Sequence, residues 1–410
     1  MPAFCKAPPA CRGMPRALGL GLNCLGERAM PIDQMSARPP LLFYAPLKSP
    51  DDPVPSGDRT LARLLFSAVR QAGFAPQLAS SFRAFSRDGS RQPALLEQAC
   101  LEARRLAATM GGLPPGQRPS LWFTYHSYYK APDLLGPVVS RSLGIPYVLA
   151  EASHAEKRRD GPFASFHEAA ARASRTADLH LVLNRRDLAG LATLRGSEAG
   201  LIHLPPFVAD VTDENIAPIP EAGPLRLVAA AMMRAPDKLQ SYRLLAQALA
   251  LVEIDWSLDI HGDGEARDEV EAAFAPIARR VRFHGLAGDP SQLATAYRRA
   301  DALVWPGFNE AFGMSYLEAA AHGRPAVAMR YGGVGEVVED GVSGLLADAG
   351  DVVGLADRLM QLGRDRAYLR RLGKGARAHA AGRHSFASAV QRLASTLHPL
   401  LRERPSSCAS

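Results

Sequence analysis

Nothing in the 410-residue sequence approaches the ~18–20 consecutive apolar, charge-free residues that cross a bilayer, so no membrane-spanning helix is expected. Cysteine is scarce where a fold would be built. Of five cysteines, Cys5, Cys11 and Cys24 lie near the start and Cys408 near the end, which leaves Cys100 alone in the body of the chain. That pattern is neither a disulfide framework nor a metal-ligand spacing, and it suits a reducing cytoplasm. There is no Asp-x-Asp pair and no His/Cys cluster along the chain, so no metal site and no cofactor are expected. Basic runs interleaved with aromatics are missing too, which argues against a nucleic-acid partner.

What is present is globular in composition, 47% hydrophobic and 22% charged with 35 glycines and 32 prolines. The length exceeds what one core usually supports, so two domains are expected. A net charge of +7 favours anionic company, either nucleotide phosphates or an anionic membrane surface. The first forty residues hold Lys6, Arg12, Arg16, Arg28 and Arg38 against Glu27 and Asp33, and so account for +3 of it.

Residues 1–38 lack any sustained period and read as a disordered extension. A signal peptide is the sharper alternative, but its apolar segment, Ala17 to Leu25, is short and diluted by three glycines and Asn23; Met30 or Met35 could equally be the true start. Beyond it, strand and helix signals alternate as in parallel sheets covered on both faces. "PLLFYAPL" (40–47), "SLWFTYH" (120–126), "IPYVLAEAS" and "ADLHLVLN" (177–184) read as strands, and Arg59 to Ala72 as an amphipathic helix. These make a first α/β domain over 39–212. The proline-rich stretch 205–224 contains a linker placed at 213–224. A second α/β domain over 225–385 follows, with strands in "LRLVAAAM", "WSLDIHG", "VRFHG", "DALVWPG" and "PAVAMR". A last helix in 386–404 is expected to cross back onto the first domain.

Chemistry concentrates in residues 300–346. A short strand ends at a Pro-Gly turn, a loop presents Asn309, Glu310, Ala311, Phe312 and Gly313, and a helix then carries Glu318. In a doubly wound sheet, ligands collect at the carboxyl ends of the strands, where this loop lies. Gly313 lets the backbone amides of Phe312, Gly313 and Met314 approach a ligand, and the helix start behind them favours an anion such as a diphosphate. Two carboxylates at different depths suit the hydroxyls of a sugar and a ribose. Arg234 and Lys238, basic residues at a helix start, ask for an anion, since cations there oppose the helix dipole.

The segment "EAFGMSYLE" resembles the signature of the retaining GT-B glycosyltransferases of family four, with its two glutamates eight positions apart. "YGGVGEVVEDGVSGLL", "LDIHGDGEA" and "MMRAPDK" are similar to the family's Gly-Gly loop, its Gly-x-Gly strand end and its Arg and Lys segment. The resemblance implies two Rossmann-like domains facing across a cleft, and a sugar transferred from a nucleoside-diphosphate sugar. By it, Glu310 meets the donor sugar, Glu318 the ribose, and Arg234 and Lys238 the diphosphate; Gly262 falls in the Gly-x-Gly turn on the donor side. The Arg-to-Lys spacing is shorter than the family's. "VPSGDRTLARLL" is similar to the glycine loop of the first domain, which puts Gly57 and Asp58 in the cleft. "WFTYHSYYKA" and "YVLAEASHAEKRR" look like the strand ends bearing the family's histidines, and His154 rather than His126 is assigned as the active-site histidine. A glycan or lipid-linked acceptor is implied, with small molecules open as well.

Plainer readings stand beside these. His154 is as readily a satisfied structural histidine as a catalytic one. Lys157, Arg158 and Arg159 could face anionic lipid at the inner membrane surface, although a solvated surface is favoured. "HGDGEA" lacks the third glycine of a dinucleotide fingerprint, which disfavours a dehydrogenase. A non-catalytic sugar-nucleotide-binding scaffold and a phosphorylase or epimerase of the same fold are the competing functions.

Overall fold

Apolar runs buried on both faces become the strands of two parallel sheets. In the computed structural model, which describes residues 38–54, 56–210 and 217–402, the first sheet contains β1 (Pro40–Tyr44), β2 (Ala75–Leu78), β3 (Leu121–Ser127), β4 (Tyr147–Ala152), β5 (Leu179–Val182) and β6 (Leu201–His203). The second contains β7 (Leu225–Ala230), β8 (Trp256–His261), β9 (Val281–Phe283), β10 (Ala302–Val304), β11 (Ala326–Met329) and β12 (Gly344–Ala347). The expectation for the N-terminal extension falls, but for Arg38, outside the described residues, as does part of the linker.

Leu41, Leu42, Phe43 and Tyr44 of β1 are all buried, and Phe43 stacks on Phe123 of β3 at 5.4 Å. The helix after β1, Gly57–Gln71, starts two residues earlier than its periodicity suggests because the Ser56 side chain caps it, accepting from the Arg59 amide. β2 and β6 carry no strand signal in the sequence. Both are short edge strands, only partly buried, so neither has room for a period.

Strand order is β2-β1-β3-β4-β5-β6 in the first sheet and β12-β11-β10-β7-β8-β9 in the second, every neighbour pair parallel. The order therefore reverses between β1 and β3, and between β7 and β10. Crevices at these two points are where such sheets bind ligands.

The C-terminal segment ties the halves together. The Val208 amide donates to His384 O at 2.9 Å. Helix Phe386–Arg402 then returns to the first sheet, where His398 stacks on Phe74 and donates through Nε2 to Ala72 O at 2.8 Å. Inside the second half, fully buried Asp301 accepts from Arg226 (Nη2 at 2.6 Å) and Arg366 (Nη1 and Nη2 at 3.1 Å), joining the sheet to helix Arg366–Arg383.

Candidate active site

Because β7 and β10 are neighbours, the loops leaving their carboxyl ends converge. The β7 loop leads through Arg234 into helix Asp237–Ala250, which holds Lys238; the β10 loop holds Glu310. Lys238 Nζ pairs with Glu310 Oε1, and the Trp305 indole donates to the same oxygen at 3.0 Å. Lys238 also lies over the Trp305 ring, 5.7 Å from its centroid. Glu310 Oε2 takes no partner among the described residues, nor does the Arg234 guanidinium. Lys48, in the loop after β1, has its pKa lowered by burial, with Asp52 opposing and Arg234 adding to the lowering, and it pairs with Asp52 Oδ1 at 3.6 Å.

The Glu310 loop is held from several sides. Asn309 sits in the left-handed region (φ 56°) and donates to Asp237 Oδ2 at 3.2 Å, and the Phe308 amide donates to Ser241 Oγ at 3.0 Å. Gly332 and Gly333 lie directly against it: the Gly333 amide donates to Glu310 O at 3.1 Å, and a Cβ on either glycine would overlap the carbonyl of Glu310 or Ala311. From the first half, Asn184 Nδ2 donates to Ala311 O at 2.9 Å.

Gly313, at φ 79°, starts helix Met314–Ala321, and a side chain there would run into the Tyr316 ring. Phe312 and Met314 are buried. Met314 reaches Gly57 of the first half, where a Cβ would meet Met314 Cγ at 3.8 Å. Glu318 lies deeper than Glu310; its Oε2 accepts from Tyr297 OH at 2.9 Å, and burial raises its pKa, with Tyr297 opposing.

The surroundings of two residues assigned from the sequence are specific. Gly262 sits where the exit of β8 meets the loop after β7. A Cβ there would strike Ala231 O, so the glycine lets the β8 exit lie against the β7 loop that carries Arg234. In the first half, His126 lies near the carboxyl end of β3. It leaves β3 at φ 62° and pairs through Nδ1 with Asp58 Oδ1 at 3.2 Å, and Asp58 in turn feels the charge of Lys238. His154 instead faces Glu156 Oε2 at 3.0 Å and the ring of His167 at 4.9 Å. Among the described residues, His154, Glu156 and His167, separated along the chain, bring potential ligand atoms within 4.8 Å of one another.

Sequence reading also missed Glu151. It leaves β4 at φ 55°, a strained conformation for such a residue, beside His126. Burial raises its pKa to about 7, with His126 opposing and Asp58 adding. For His126, burial alone would lower the pKa, but Glu151, Asp58 and Asp187 outweigh it and raise the value to about 9. Since the folded value exceeds the ordinary ~6.5, the stabilisation from imidazolium is complete below that pH and is lost as pH rises through about 9. Glu151→Gln is expected to move the His126 midpoint down, measured by NMR titration of the imidazole protons; an unchanged midpoint would mean that Glu151 does not act on it.

Residues 224–365 match the family of glycosyl transferases group 1. The second half of the chain belongs to that family. D-inositol 3-phosphate glycosyltransferase of Corynebacterium diphtheriae is 40% identical over 119 residues, 29% of this chain and 27% of that protein. The enzyme of the same name from Corynebacterium jeikeium is 38% identical over 159 residues, 39% of this chain and 36% of its own length. The matched part thus spans about a third of these curated relatives. Among solved structures, sucrose-phosphate synthase from Thermosynechococcus elongatus superimposes with a TM-score of 0.68 at 18% identity, over 90% of this chain and 100% of that one. Anabaena HepE in complex with UDP gives 0.67 at 18% identity, over 88% and 99%. The fold is GT-B, with two Rossmann-like domains. Among the described residues no helix is long and apolar enough to cross a membrane.

Proposed function

We propose that the chain is a retaining glycosyltransferase that moves a sugar from a nucleoside-diphosphate sugar to a glycan or lipid-linked acceptor held mainly by the first domain. The observation that carries this reading is the meeting of Glu310 with Lys238 at the β7/β10 switch point, in the loop that leads into the Gly313 helix start. Arg234, Lys238 and the amides of that helix offset charge developing on the leaving diphosphate. Glu310 faces the sugar, Glu318 the ribose, and His126 with Asp58 closes the first-domain side. Uridine is the first base to try, since HepE is described in complex with UDP and with UDP-glucose. Retention rests on the family resemblance, and proton NMR of the product's anomeric centre decides it.

The test is a thermal-shift panel of nucleoside diphosphates and their sugars, followed by turnover with candidate acceptors. A ligand at a hundred times its dissociation constant adds about 2.7 kcal/mol to stability, enough to move the melting midpoint visibly. If a nucleotide sugar binds but no acceptor or water ever consumes it, the chain is a binding protein and the catalytic reading fails. Glu310 is engaged by Lys238 and Trp305, and the cations of the site do the charge-balancing work. Adding Mg2+ or Mn2+ after chelation is therefore expected to leave the rate unchanged, and a strict requirement for either would overturn the electrostatic route.

A further inference from the structure

We propose that His154, Glu156 and His167 form a binding site for a zinc-class divalent ion, on the first domain and apart from the donor crevice. Their ligand atoms all lie within 4.8 Å of one another. His154 is mostly buried, its Nε2 at 3.0 Å from Glu156 Oε2. The two imidazole rings face one another at 4.9 Å with 41° between planes.

The second observation is His167 itself. It is 5% exposed on helix Ala164–Thr176, and its Nε2 is buried with no hydrogen-bond partner. A buried ring nitrogen without a partner forfeits a hydrogen bond it would have had in water, and a metal ion supplies the missing contact. Glu156 is 55% exposed, so its carboxylate can adjust towards the roughly 3.4 Å between ligands of a tetrahedral zinc site. Glu156 Oε1 pairs with Arg159, which leaves Oε2 for the ion and steadies the carboxylate from behind.

The donor set selects the ion. Two imidazoles and a carboxylate suit Zn2+ and its neighbours in the first transition row; Mg2+ and Ca2+ prefer all-oxygen shells. Three protein ligands leave a fourth position for water. The ion would pin the loop after β4 to helix Ala164–Thr176, three residues beyond Glu151, and so fix the strand exit that faces His126. The proposal is independent of the glycosyltransferase reading.

The test is calorimetric titration of ZnCl2 into the chelator-treated full chain, with His154→Asn, Glu156→Gln and His167→Asn alongside. The expected result is a tight equivalent per chain that His154→Asn and Glu156→Gln each weaken by at least about tenfold, with apo melting midpoints unchanged in these two variants. His167→Asn alters a buried side chain, so the two more accessible variants carry the decision. No saturable binding of Zn2+, or the same affinity in His154→Asn and Glu156→Gln as in the parent, would overturn the site.

Discussion

Glu310→Gln is expected to lower kcat by about ten- to a hundredfold while leaving free nucleoside diphosphate bound as before, whereas Glu318→Gln raises the donor KM by a similar factor. The two carboxylates differ in what they meet. Glu310 sits beside Lys238 and the Trp305 indole, and in the proposed reaction it meets the sugar ring, which gains positive character as its bond to the diphosphate breaks. An interaction that strengthens only in the transition state appears in kcat. Glu318 is already bonded to Tyr297 OH, and in the proposed reaction it meets ribose hydroxyls that do not change, so its loss is expected in binding. Steady-state kinetics on both variants, with nucleotide affinity measured separately, gives the split. Near-parent kcat and KM in both would move the donor site elsewhere and remove the basis of the proposed function.

How much of this could be read from the sequence depends on where the partners lie along the chain. Strand, loop and helix around Glu310 and Glu318 are contiguous, so their local geometry is written in one stretch with its Pro-Gly turn and Gly313. The meeting of Lys238 with Glu310 needs only one more step, the Rossmann strand order, which sets β7 beside β10. The first domain is different. His126 and Glu151 both take positive φ angles, and no residue type announces a left-handed turn there as glycine would. His154 and His167 come together only because the chain after β4 folds back along a helix, so their cluster has no signature in spacing. At Gly262 the conformational need is visible in the sequence, but the contact that imposes it, Ala231 O, is not.

The same kind of contact yields a second large effect, at Gly333. This residue has an ordinary φ of −97°, so alanine there meets no backbone penalty of its own. What it meets is the donor loop: the new Cβ would overlap Ala311 O and crowd Asn184 Nδ2, the side chain that bonds the same carbonyl from the first domain. Asn184 can rotate away, but Ala311 O is backbone, so the loop carrying Glu310 must shift. Overpacking of this kind costs about 1–3 kcal/mol in stability, a modest fall in melting midpoint for a chain this long. Misplacing a reacting group by about 1 Å costs on the order of a hundredfold in rate. Gly333→Ala is therefore expected to lose activity out of proportion to stability, with kcat/KM down about a hundredfold while the protein stays folded at assay temperature. Gly335, two residues on, is the control, because a Cβ there meets nothing within 4 Å. Gly335→Ala should keep parent activity. Parent kcat/KM in Gly333→Ala would show that the glycine pair does not set the position of Glu310, and an equal loss in Gly335→Ala would assign the effect to the short helix Val334–Val337 instead.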